Sequence, residues 1–268
     1  MSAVLFYVKF SMSQHHTPAW EVYFCHIEEF PAFVSTDLGV ATVAPLKDKP
    51  NLIEVVVALK TTDETGFPEA EEWHMLEKIE DTLVQLLEAK LNVTFVGKTL
   101  YSGKRSFYFY GDRILLLDGY VSEVMEKYPD YMLLAQATED PDWNIYFGFL
   151  YPDAESMQRI RNSQMLQLME EQGDQPFVPR KITHWLYFKT ASGRDATWKA
   201  LQQQNFKLEE RAQRTDTQKG LEYKLVVYRD DKADEESIEE ISSILWQLAS
   251  QQNGEYDGWE ALTIPENA

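Results

Sequence analysis

Three carboxylates, Glu72, Glu80 and Asp81, fall in one amphipathic stretch, and Glu72 and Glu80, eight residues apart, share a helix face. A carboxylate pair can divide acid and base roles when burial drives the two pKa values apart, whereas in water it is an ordinary solvated face. His26-x-Glu28 puts two metal-ligand types on one strand face, but neither a cysteine pair nor a third histidine completes a set. His15-His16 reads as a solvated loop, and His74 and Glu77 have the spacing of a surface contact on a helix. Cys25 sits in an apolar strand pattern, the usual place of an inert core thiol. Lys104-Arg105-Ser106-Phe107-Tyr108-Phe109-Tyr110 has the basic–aromatic look of an RNA-recognition strand, yet it lacks the glycines between the aromatics. Alternating aromatics of this kind ordinarily fill and cover a sheet. No G-x-S-x-G, Walker A loop or G-x-G-x-x-G is present. An enzyme is therefore unsupported, and no catalytic residue, metal or cofactor is assigned.

Two further groups bear on binding rather than catalysis. Asp230-Asp231-Lys232-Ala233-Asp234-Glu235-Glu236 precedes and opens the last helical pattern. Acids there complement the helix dipole, worth about 0.3–1 kcal/mol each, so a solvated cap competes with a contact to a basic partner through Glu235 and Glu236. In Tyr256-Asp257-Gly258-Trp259 the structural reading makes Gly258 a point of close backbone approach, Trp259 a core or edge anchor and Asp257 a turn residue. The functional reading exposes Tyr256 and Trp259 as anchors for a partner, beside Asp257.

Charge points the same way. The chain has 268 residues and a formal net charge of −19. From Pro176 onward there are 12 Lys/Arg against 16 Asp/Glu, a net of −4; before it there are 13 against 28, a net of −15. Such a surface repels nucleic acid and attracts a basic protein segment, so direct nucleic-acid binding is not expected. No stretch reaches the roughly 20 apolar residues of a membrane span. Met1 to Lys9 lacks a basic leader and a cleavage site and is expected to be a first strand. With a single cysteine, the expected compartment is the cytoplasm.

The elements that must position these groups form two domains, placed at 1–174 and 177–268 by the Gly173 to Pro179 break. The first is expected to be an α+β sandwich with a mostly antiparallel sheet. Strands are predicted at Trp20–Phe24, Ala32–Leu38, Leu52–Leu59, Val93–Val96, Ser106–Tyr110, Met132–Gln136 and Asn144–Leu150. A helix opens after Gly66-Phe67-Pro68 with the stripe Trp73, Leu76, Ile79, Leu83, Leu86 and Leu87. A short helix spans Val121–Lys127, and another starts at Ala154 behind the N-cap Asp153. In the second domain, a strand at Ile182–Thr190 is followed by a capping box at Ser192 and Asp195, which opens a helix to about Asn205. Strands at Phe206–Ala212 and Glu222–Tyr228 precede a helix with Ile238, Ile241, Leu245 and Leu248 on one face, ended by Gly254; a last strand covers Tyr256–Ile264. The order β-α-β-β-α-β is that of a ferredoxin-like fold.

Gly254-Glu255-Tyr256-Asp257-Gly258-Trp259-Glu260 resembles the closing motif of the RraB family, regulators of ribonuclease E activity, and the resemblance extends over about Lys181 to Glu266. Residues 10–150 look like a bacterial family of domains of unknown function that sometimes precedes an RraB-like module. That likeness rests on Trp20, Gly66-Phe67-Pro68, Glu72, Leu76, Glu80, Asp81 and the Gly103-x-Arg105 turn leading into Tyr108 and Tyr110. The resemblance implies a non-catalytic regulator that binds ribonuclease E, or a comparable basic protein. Well-studied members carry an acidic tail beyond this strand, so here the first domain is expected to supply the acidity. The competing expectation is a first domain that binds a small molecule or is enzymatic, with the second as an accessory.

Overall fold

The computed structural model describes residues 16–112, 114–213 and 220–265. The strand expected at Met1 to Lys9 lies outside them. Contacts divide the chain into two compact units, residues 1–151 and 152–268. No helix among the described residues is long and apolar enough to cross a membrane.

The first unit is α+β. Strands β1 (Trp20–Ile27) and β2 (Phe30–Asp37) form a hairpin. Its turn, Glu28-Glu29, has φ of 50° and 73°, the left-handed pair that matches strand twist in a two-residue hairpin. After β3 (Asn51–Ala58) and α1 (Ala70–Lys90), a second hairpin joins β4 (Val93–Tyr101) to β5 (Lys104–Gly111). Then come α2 (Leu117–Lys127) and β6 (Leu133–Glu139). The sheet order is β1-β2-β4-β5-β3-β6, and every neighbouring pair is antiparallel. The period of α1 buries Leu76, Ile79, Leu83 and Leu87 against Ile53, Val55, Phe107 and Phe109, and α2 adds Val121 and Val124.

The strand expected at Asn144–Leu150 is instead a π-helical turn over Tyr146–Leu150. Asp140 is the cause. Its carboxylate accepts from the N–H groups of Asn144 (2.9 Å) and Ile145 (3.0 Å) and from the Tyr110 hydroxyl (2.6 Å), which curls the chain out of the sheet. Trp143 then stacks on Tyr110 at 4.0 Å.

The second unit comprises α3 (Ala154–Glu171), β7 (Arg180–Phe188), α4 (Ala191–Gln202), β8 (Lys207–Gln213), β9 (Tyr223–Asp231), α5 (Glu235–Gln251) and β10 (Gly254–Ala261). The antiparallel sheet runs β10-β7-β9-β8, so the βαββαβ part has the ferredoxin-like strand order. Leu186, Phe188, Leu225 and Val227 meet Leu201, Ile241 and Leu245 across the helix face.

Three local details differ from expectation. Thr190, not Ser192, caps α4, its hydroxyl accepting from the Gly193 N–H at 3.1 Å. Asn253 takes the left-handed position after α5 (φ 53°). Gly254 instead opens β10, where a Cβ would lie 2.4 Å from the Phe188 ring. And α3, placed in the first domain by the break after it, packs on α5 and β10 in the second unit. Gly173 and Pro176 end the helix without ending the unit: Asp174 pairs with Arg180 and accepts from the Ile264 N–H at 2.7 Å.

Candidate functional site

The closing strand shapes a groove in the second unit. The register of β10 on β7 shifts between Tyr256 and Gly258, a bulge that pushes Asp257 out into solvent. Gly258 has φ +134°, a conformation that side chains rarely adopt. Beside the bulge lies a groove of about 620 Å³, with Met165 and Leu168 of α3 on one side and Trp185 and Tyr187 of β7 on the other. Asp257 and Glu260 contribute two exposed carboxylates to its lining and Arg161 of α3 one exposed guanidinium. Leu168 is 52% exposed, so apolar surface and acid stand side by side.

Tyr256 and Trp259 are not the exposed anchors of the functional reading. They are only 6% and 7% exposed. The Trp259 indole N–H donates to Asn162 Oδ1 of α3 at 2.9 Å, and the ring packs with Ile182, Met169 and Ile238. The Tyr256 hydroxyl is 3.0 Å from Nδ1 of the fully buried His184, and burial pushes the Tyr256 pKa up. Burial also holds the His184 pKa down at about 3, Arg229 adding to the effect. This buried pair was missed in the sequence, although His184 alternates with Ile182 and Leu186 on one strand face.

Glu235 and Glu236 are exposed in the first turn of α5, behind the N-cap Asp234, whose carboxylate accepts from the Ser237 N–H at 3.1 Å. Glu235 lines a separate hollow of about 460 Å³ with Glu170 and Phe177, so it does not share the groove of Asp257.

In the first unit, α1 brings its acids to different partners. Glu72 is buried and accepts from the N–H groups of Lys60 and Thr61, each at 2.6 Å, and from the Thr61 hydroxyl at 2.6 Å. Burial works to raise its pKa, but these hydrogen bonds win and lower it. Glu72 therefore tethers the segment after β3. Glu80 bridges Lys98 (2.6 Å) and Arg105, which sit on β4 and β5. Asp81 is exposed beside it. Tyr108 points to the opposite sheet face, its hydroxyl 3.4 Å from Thr99 Oγ1 and its pKa raised by burial. Glu72 and Glu80 thus share a helix face but not a site, and no acid–base pair is assembled. Lys98 went unnoticed in the sequence because only the sheet register sets it beside Glu80. His26 packs edge-on to Phe24 at 5.6 Å, and Glu28 occupies the hairpin turn rather than the strand face.

Family models match both units. One described as a family of unknown function (DUF695) covers residues 18–151, and one described as Regulator of ribonuclease activity B (RraB) covers residues 159–261. The chain belongs to the DUF695 family, with an RraB domain following. The RraB match takes in most of α3, in line with the packing of that helix in the second unit. No curated protein matches the chain. A solved structure described as an unknown protein from Galdieria sulphuraria covers 80% of this DUF695–RraB chain and 99% of its own. Its identity is 7% and its TM-score 0.21.

Proposed function

We propose that this DUF695–RraB protein is a non-catalytic cytoplasmic regulator that binds a protein partner with a basic surface, a nuclease of the ribonuclease E type. The RraB groove is the docking site. One observation carries the reading: the groove sets exposed apolar side chains, Met165 and Leu168, next to the exposed carboxylates Asp257 and Glu260. Apolar surface supplies binding energy, and acids in the lining steer a cationic segment and fix its register. Glu235 and Glu236, exposed outside the groove, and the acidic excess of the DUF695 domain add long-range attraction.

The experiment is capture of ribonuclease E from the same organism by the full chain, beside a Leu168→Asp variant. Leu168 is exposed, so the variant keeps its fold while losing apolar contact. Retention by the wild-type chain and its loss in the variant support the reading; equal retention, or none by either, rejects it.

A further inference from the structure

The DUF695 domain holds a second hollow, of about 570 Å³, between α1 and the strands β1, β2 and β4. Val22, Phe33, Leu100 and Trp73 give it apolar walls, and three of these are exposed although large and hydrophobic. The same hollow is lined by Glu80, Lys98 and Arg105.

The charges in this trio do not balance. Glu80 gives one carboxylate oxygen to Lys98 and the other to Arg105 Nη2. Within the trio one negative charge faces two positive ones, while Glu77 and Asp81 bring the lining of the hollow to three acids against two bases. Arg105 is only 4% exposed, and its Nη1 is buried with no hydrogen-bond partner among the described residues. A guanidinium remains charged at any ordinary pH, so an enclosed N–H without an acceptor is a standing cost. Burial lowers the Arg105 pKa, and the charges of Glu80 and Glu77 oppose it. An ammonium has three donors, of which Glu80 takes one from Lys98.

We propose that this hollow binds a small amphiphilic carboxylate, its head taken by Lys98 and Arg105 and its apolar body lying over Phe33, Leu100 and Trp73. The head competes with Glu80 for the same two cations. Glu77 and Asp81, exposed carboxylates that also line the hollow, select against ligands of higher negative charge such as phosphate. This site is independent of the docking groove in the RraB domain.

Calorimetric titration of the full chain with decanoate below its micellar concentration tests it, with decanol and inorganic phosphate as the neutral and the purely anionic probes. Saturable binding of decanoate is expected, with decanol and phosphate at least about tenfold weaker, the scale of one charge-assisted hydrogen bond. Lys98→Gln weakens decanoate roughly tenfold, whereas Glu80→Gln, which removes the competitor, tightens it by a similar factor. Should Glu80→Gln fail to fold, Lys98→Gln decides alone. Decanol binding as well as decanoate, affinity unchanged in Lys98→Gln, or no saturable decanoate binding overturns the proposal.

Discussion

The two units differ in how they bury polar groups. The DUF695 unit takes charge inside: Glu80, Lys98 and Arg105 meet under a helix, and Glu72 is buried to hold a loop. The RraB unit keeps most of its acids in water and buries one ion pair, Asp174 with Arg180, beside two neutral pairs, His184 with Tyr256 and Asn162 with Trp259. Buried charge costs desolvation that only well-placed partners offset, so it persists where geometry or a ligand requires it. Neutral buried pairs specify packing and leave the surface acids available to a partner. The two proposals follow this contrast, with a ligand in the hollow of the first unit and a partner on the groove of the second.

The sharpest way to break this comparison is Trp259→Ala. It removes a buried indole and leaves Asn162 Oδ1 without that donor, so the RraB unit loses about 3–5 kcal/mol. In calorimetry its transition falls while that of the DUF695 unit stays; a variant that melts like the wild type would return Trp259 to the surface. Next comes Glu80→Gln, which strands Arg105 and costs the DUF695 unit about 3 kcal/mol by chemical denaturation. Arg105→Met costs less, because Glu80 keeps Lys98; the reverse order contradicts the charge balance described for the trio.

Acid distinguishes the units further. His184 is neutral in the folded state, with a pKa of about 3, and titrates near 6.5 once unfolded. Its contribution is complete above pH 6.5 and is lost as pH falls from there towards 3, at roughly 1.4 kcal/mol per pH unit. Denaturation at pH 7, 6 and 5 should show this slope for the RraB unit, and His184→Gln should flatten it. A wild-type slope retained in His184→Gln would place the acid sensitivity elsewhere. The smallest effect is at the cap of α5: Asp234→Ala costs about 1 kcal/mol, seen as a lower midpoint for the RraB unit.

What the sequence makes legible is local. The stripe Leu76, Ile79, Leu83 and Leu87 marks α1 because burial on one helix face imposes its own period. The Gly103-x-Arg105 turn marks the second hairpin, and the order of elements from β7 to β10 identifies the ferredoxin-like topology. What it hides depends on register and on long-range packing. Lys98 stands 18 residues from Glu80 and meets it only after β4 has paired and α1 has docked. His184 looks like one polar residue in an alternating strand until Tyr256, 72 residues on, supplies its partner. The place of α3 is set by Asn162 meeting Trp259 across 97 residues, while the Gly173 to Pro179 break signals only where a helix ends. Tyr256 and Trp259 show the limit most plainly: aromatics suit an interface and a core equally well, and three-dimensional burial decides between them.

The central claim is that the RraB groove meets a basic protein surface. A titration of the full chain with ribonuclease E at low and at physiological salt, alongside Asp257→Lys with Glu260→Lys, tests it most directly. The account predicts saturable binding that weakens as the screening length falls from about 30 Å at 0.01 M to about 8 Å at 0.15 M, and that weakens further in the double variant. Binding that ignores both salt and the charge reversal, or no binding at low salt, contradicts it.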